Sequence, residues 1–175
     1  KDKLEKAIGV LEELDFKPER PFRADVDGVL HFHAPVMANK GILIELHWNL
    51  SLETKPLKID PDELWVRAQR MILDGFETWT LSLSDLVLHL AIHASYGHHF
   101  HFQLRSLYDL DEVLRKFEGE LDWVELTRIC QDWQAGRGTY LVFRLVGELF
   151  GSEVPAKVLE LLRPPDWNEH VLEWA

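Results

Sequence analysis

The chain has 175 residues, with 19 Lys and Arg against 30 Asp and Glu, a net charge of −11, and 46% hydrophobic and 11% aromatic residues. This apolar content excludes a disordered chain, and the length suits one domain or one domain with a small appendage. The acidic balance argues against broad, sequence-independent nucleic-acid binding, which needs a basic surface. The longest mainly apolar runs, such as 86–94, are too short to span a bilayer and carry histidines. The chain opens on a charged helical pattern rather than a signal peptide, and the single Cys130 excludes an internal disulfide. Both features suit a reducing cytoplasm.

Residues 2–15 predict an amphipathic helix, because Leu4, Ala7, Ile8, Leu11 and Leu14 recur at spacings of three and four. Pro18, Pro21, Gly28 and Pro35 then suit turns around short extended pieces, of which 29–33 can form a strand. Residues 41–50 give the clearest strand pattern. Ile42, Ile44, Leu46 and Trp48 alternate there with Leu43, Glu45 and His47. Asp60 or Asp62 can cap a short helix that is expected to run through about Arg70. Asp74-Gly75 between 71–73 and 77–81 predicts a hairpin. From Ser82 the pattern turns helical. Ser82 and Asp85 form a capping box, and helices are expected over about 82–95, 102–117, 122–134 and 138–150, the last ending at Gly151. The predicted class is α+β. A small antiparallel or mixed sheet with flanking helices occupies 1–81, and a helical bundle occupies 82–175.

Glu45 is the residue on which the chemistry turns. On a buried strand its carboxylate would need a partner, hydrogen bonds or a cation. On a two-faced sheet it would simply face solvent, and periodicity leaves both readings open. His47 lies on the same face. If 29–33 pairs antiparallel to 41–50, His31 and His33 reach the same neighbourhood, a carboxylate–imidazole group able to meet a divalent cation. His89 and His93 share a helix face four residues apart without the glutamate of an HExxH motif, and His98, His99 and His101 crowd a turn. These suit interface packing and a solvated loop, with a zinc site as the competing reading. Gly136-Arg137-Gly138 has neither phosphate-loop nor dinucleotide spacing. Cys130 reads as a buried, inert thiol. Arg105 and Asp109 have the spacing of a surface ion pair, and Trp123, Trp133, Trp167 and Trp174 read as core fillers.

The order of several phrases carries a resemblance. A helix ending in Leu11–Phe16 (LEELDF) leads to His33-Ala34-Pro35, then to Ile44-Glu45-Leu46-His47-Trp48 and to Asp62-Glu63-Leu64-Trp65 with Ala68. Next come Leu81-Ser82, Asp85-Leu86, Leu88-His89-Leu90 and His93-Ala94 on one helix, then Arg105–Leu110 and Leu121-Asp122-Trp123. The sequence resembles the uncharacterised bacterial nucleotidyltransferase family of the DNA polymerase β superfamily. That resemblance implies a mixed sheet holding three carboxylates around two Mg²⁺ ions, with NMP transfer from an NTP to a hydroxyl acceptor. It places Glu45 third among the carboxylates, as catalytic residue and metal ligand. His47 and His33 line the cleft, and Arg105 and Asp109 close it from the helical half. The family's Gly-Ser turn and Asp-x-Asp strand should precede the first helix, whereas this chain begins at Lys1 within or at the start of that helix. Asp25-Val26-Asp27 has the right letters but follows the helix beside Gly28, where a turn is its expected role. Two expectations result: a piece of an NTP-dependent transferase with part of its site elsewhere, or a degenerate member acting as a noncatalytic binding module. A histidine-based metal protein is a third. No membrane partner is expected.

Overall fold

The computed structural model describes residues 2–23, 27, 31–51, 56–97, 103–168 and 170. They form two compact units, Lys1–Pro61 and Asp62–Ala175. Among the described residues, seven α-helices and two small antiparallel sheets make the chain α+β.

In the first unit, α1 (Asp2–Glu13) places Leu4, Ala7, Ile8 and Leu11 on its half-covered side, while Leu14, past the helix end, is exposed. Three short strands follow: β1 (Lys17–Pro18), β2 (Met37–Asn39) and β3 (Ile42–Ile44). β2 lies in the middle and pairs antiparallel with both neighbours. The turn between β2 and β3 uses Lys40 at φ 46° and Gly41 at φ 83°. These left-handed conformations match the twist of a two-residue hairpin. Phe16, Ala34, Met37, Leu57 and Ile59 are buried.

The strand expected over 41–50 is not continuous. The register Met37↔Ile44 ends the ladder, and the chains meet again at the bridge His33↔His47. Between these pairs lie three residues on one side (34–36) and two on the other (45–46), which is a β-bulge. Its cause is Pro35, which has no N–H to donate to a ladder. Nor is β3 a buried strand, since Ile42 and Leu43 are 60% and 65% exposed.

The second unit opens with α2 (Pro61–Arg67) and the hairpin β4 (Gln69–Leu73) and β5 (Phe76–Thr80), closed at Asp74-Gly75 as the dipeptide predicts. Then come α3 (Leu83–Ile92), running into a π-helical turn His93–Gly97, α4 (Gln103–Lys116), α5 (Trp123–Asp132), α6 (Gly136–Phe150) and α7 (Ala156–Leu162). Asp122 caps α5 by accepting from the Val124 and Glu125 amides, and Gly151 at φ 76° ends α6. The core is apolar and closely filled. Leu88, Ile92, Leu110, Leu126, Ile129, Trp133 and Phe143 are each at most 2% exposed. Of the tryptophans expected to fill the core, Trp133 does so, whereas Trp123 and Trp167 are only partly buried and pack edge-on against Phe143 and Tyr140. Trp174, His98, His99 and His101 lie outside the described residues.

One buried ion pair explains why α2 and the hairpin group with the helices rather than with residues before 81. The Arg67 guanidinium donates to the wholly buried Asp85 carboxylate at 2.8 and 2.9 Å. The Ser82 hydroxyl donates to the same carboxylate at 2.7 Å and accepts from the Asp85 amide. The Ser82 half of the expected capping box is therefore present, while the Asp85 carboxylate is directed to Arg67. Arg67→Met should lower unfolding free energy by about 3–5 kcal/mol in urea titration, because it strands a buried charge. Asp85→Leu added to that variant should recover much of the loss.

A second tight point lies where α6 begins. A Cβ built on Gly138 would sit 2.4 Å from Tyr96 Cε2 and 2.5 Å from Ser95 Oγ, both on the π-helical turn. The Gly138 amide donates to the Tyr96 hydroxyl at 3.3 Å. Gly138→Ala is expected to destabilise by about 1–3 kcal/mol, read as a lower Tm, with the defect confined to overpacking.

Candidate functional site

The bulge at Pro35 decides which side chains meet in the first unit. The Ala34 amide donates to the Leu46 carbonyl at 2.8 Å and the Trp48 amide to the Phe32 carbonyl at 3.1 Å. These bonds bracket His33↔His47 as a non-hydrogen-bonded pair, the kind whose side chains come closest. Their rings lie 5.1 Å apart, and the ring of His31, two residues from His33, lies tilted 5.8 Å from that of His33. Glu45, two residues from His47, contacts His47 Nε2 through Oε2 at 3.2 Å. Phe32 lies against both His33 and His47, at 5.2 and 5.5 Å. The structure thus gathers Glu45, His47, His33 and His31 on one patch. The Glu45 side chain is 48% exposed, so of the two readings of this strand the solvent-facing one holds, and the partner of the carboxylate is His47.

The hydrogen bonds also set the tautomers. A carbonyl only accepts, so His33 Nδ1, 2.8 Å from the Ala34 oxygen, carries the proton and leaves Nε2 as an acceptor. An ionised carboxylate likewise draws the His47 proton to Nε2. Among the described residues, no group of three His, Cys, Asp or Glu could hold a metal ion.

Asp27 supports this patch. Its side chain is wholly buried. Arg20 donates to one oxygen and the Arg23 amide to the other, each at 2.6 Å. Its backbone closes a turn, with the Asp27 amide on the Arg23 carbonyl and the His31 amide on the Asp27 carbonyl. The Arg20 hydrogen bond, with that of the Arg23 amide, holds the Asp27 carboxyl below the usual carboxylate range. The Asp25-Val26-Asp27 letters therefore include one carboxylate committed to the fold, while Asp25 and Val26 lie outside the described residues. Neither Asp27 nor Arg20 stood out in the sequence as partners. The only available signal was an arginine seven residues from an aspartate in a Pro-rich turn.

In the second unit Arg105 and Asp109 are exposed on α4, and no ion pair joins them among the described residues. The carboxylate that is engaged on this helix is Asp111. Burial alone would raise its pKa, yet hydrogen bonds from Arg115 and Ser152 hold it low. The rings of His89 on α3 and His93 at the start of the π-helical turn lie 5.7 Å apart and tilted, and both residues are partly buried. Cys130 is buried, and desolvation pushes its thiol up to about 11, which makes it a poor nucleophile.

A family described as uncharacterised nucleotidyltransferase matches residues 1–151. The chain belongs to this family. No curated protein and no solved structure matches it. The match runs through the Glu45 patch and through α4 with Arg105 and Asp109, so every candidate site residue lies inside the nucleotidyltransferase region. Among the described residues no helix is long and apolar enough to cross a membrane.

Because the Asp27 pKa is depressed in the folded chain, its contribution to stability is present above the unfolded value. It is lost as pH falls through about 3.9 to the lower folded value. Wild-type unfolding free energy should therefore fall across this acid window. Asp27→Asn should flatten that limb while lowering stability at neutral pH, as measured by urea unfolding at a series of pH values.

Proposed function

We propose that this protein serves Mg²⁺-dependent transfer of a nucleoside monophosphate from an NTP to an unidentified hydroxyl acceptor. Family membership supports the nucleotidyl-transfer class. The observation that carries the reading to residues is the contact of Glu45 with His47, opposite His33, on one open face. Glu45 fits as one oxygen donor, since its second oxygen has no hydrogen-bond partner among the described residues. It does not enclose a cation by itself. Mg²⁺ is commonly held by one or two carboxylates together with substrate phosphates, so Glu45 would share the ion with the bound NTP. Such an ion neutralises phosphate charge during transfer. His47 orients the Glu45 carboxylate through Nε2–H. His33, protonated at Nδ1, offers Nε2 to a hydroxyl proton.

A second reading, a noncatalytic nucleotidyltransferase-like binding module, is favoured by the commitment of Asp27 to Arg20. Calorimetric titration with a non-hydrolysable NTP separates the two. The transferase reading expects binding that Mg²⁺ strengthens and that Glu45→Gln weakens at least about tenfold, on the scale of metal-site substitutions. Equal affinity for wild type and Glu45→Gln, with and without Mg²⁺, would overturn it in favour of the module.

A further inference from the structure

The β4–β5 hairpin is a two-stranded sheet with no third strand among the described residues. A lone hairpin is only marginally stable in water. This one also leaves large apolar side chains open, with Phe76 75%, Ile72 67% and Leu73 62% exposed, and Trp79 half exposed. Both turn residues have positive φ, Asp74 at 49° and Gly75 at 83°, as in a type I′ turn. In a two-residue turn the closing pair, here Leu73↔Phe76, exchanges both backbone hydrogen bonds, and bonded and unbonded pairs then alternate. Met71↔Thr78 is thus a bonded pair, whereas Ile72↔Glu77 and Arg70↔Trp79 are not. The backbone N–H and C=O groups of Glu77 and Trp79 therefore point away from β4, along the outer edge of β5. Phe76–Thr80 contains no proline, glycine or bulge to blunt that edge.

We propose that the outer edge of β5 pairs antiparallel with the same edge of a second copy of the chain, across a two-fold axis at Thr78. The edge is complementary to itself in hydrogen-bond phase and in charge. Under this axis Glu77 faces the partner's Trp79, and both residues have their backbone groups directed outward, so each pair closes two hydrogen bonds. Arg70 lies over the Trp79 ring at 5.2 Å, leaning toward β5, and is 3.4 Å from Glu77. Pairing sets each Glu77 beyond a tryptophan that carries an arginine, giving a quartet of two Arg and two Glu with no net charge. Two chains of net charge −11 repel over most of their surfaces, and an edge whose Glu77 is balanced by Arg70 is where they can meet. Thr78 meets the partner's Thr78, a favourable cross-strand pair. Pairing along β4 instead would centre on Met71 and put Arg70 opposite the partner's Ile72, with no such exchange of charge. The resulting sheet has four strands, with Met71, Leu73 and Phe76 of both copies on one face.

Sedimentation equilibrium of the whole chain tests the proposal. Wild type should show a concentration-dependent monomer–dimer equilibrium. Arg70→Glu and Glu77→Arg should each weaken it at least about tenfold, a change of about 1.4 kcal/mol. An equimolar mixture of the two variants should restore it, since each supplies the charge the other lacks. Thr78→Cys gives an independent readout, because that position meets itself on the axis while Cys130 is buried. Mild oxidant should cross-link Thr78→Cys into a dimer faster than Ile72→Cys, which lies on the opposite edge. A monomer at every concentration, a mixture that does not reassociate, or equal cross-linking at 72 and 78 would each overturn the proposal. Circular dichroism establishes that each variant compared is folded.

Discussion

Pro35 has no amide hydrogen to give, and the candidate site follows from that deficiency. A regular ladder continuing from Met37↔Ile44 would have carried its register unchanged down to residue 47. The bulge shifts it by one residue, and a one-residue shift exchanges the two faces of a strand. His33 is thereby brought directly across from His47, and alternation along each chain adds His31 and Glu45 to the same side. Asp27 then holds the approach to His31 through its backbone carbonyl and its pair with Arg20. A cluster of one carboxylate and three imidazoles has been assembled by a missing donor and a buried carboxylate, in a unit with few buried apolar side chains among the described residues.

The second unit uses a different device. Its core is apolar and filled by α3 to α6, and Asp85 is placed at the edge of that core with a charge that must be answered. Arg67 supplies the answer from the end of α2, with two planar N–H groups on the carboxylate. Removing either partner is costly because the other is left desolvated, and for that reason the pair fixes where α2 and the hairpin belong. The pair contributes placement more than net stability.

Features encoded within a few residues could be read directly. The spacing of Leu4, Ala7, Ile8 and Leu11 gave α1, Asp74-Gly75 gave the hairpin, and Ser82 and Asp122 marked where helices begin. Features that depend on a partner elsewhere could not. The alternation in 41–50 reads as a long strand because nothing within it reveals the proline on the opposing chain. Asp85 looks like a simple cap because its arginine lies eighteen residues away. Asp27 looks like a turn residue because burial is invisible in its letters. The meeting of His31 and His33 with Glu45 and His47 was legible as a conditional, and residues 31–33 meet the condition through a single bridge rather than a full strand.

The π-helical turn at His93–Gly97 bears on how this region can change over time. Such a turn arises when a helix accommodates one surplus residue. Here the widened loop of backbone carries Ser95 and Tyr96 against Gly138 at a separation that excludes even a methyl group. A lineage that shed one residue from 93–97 would tighten that turn and free position 138 to hold a side chain. Length variation in one segment and residue size in another, more than forty positions apart, are therefore bound into a single evolutionary step.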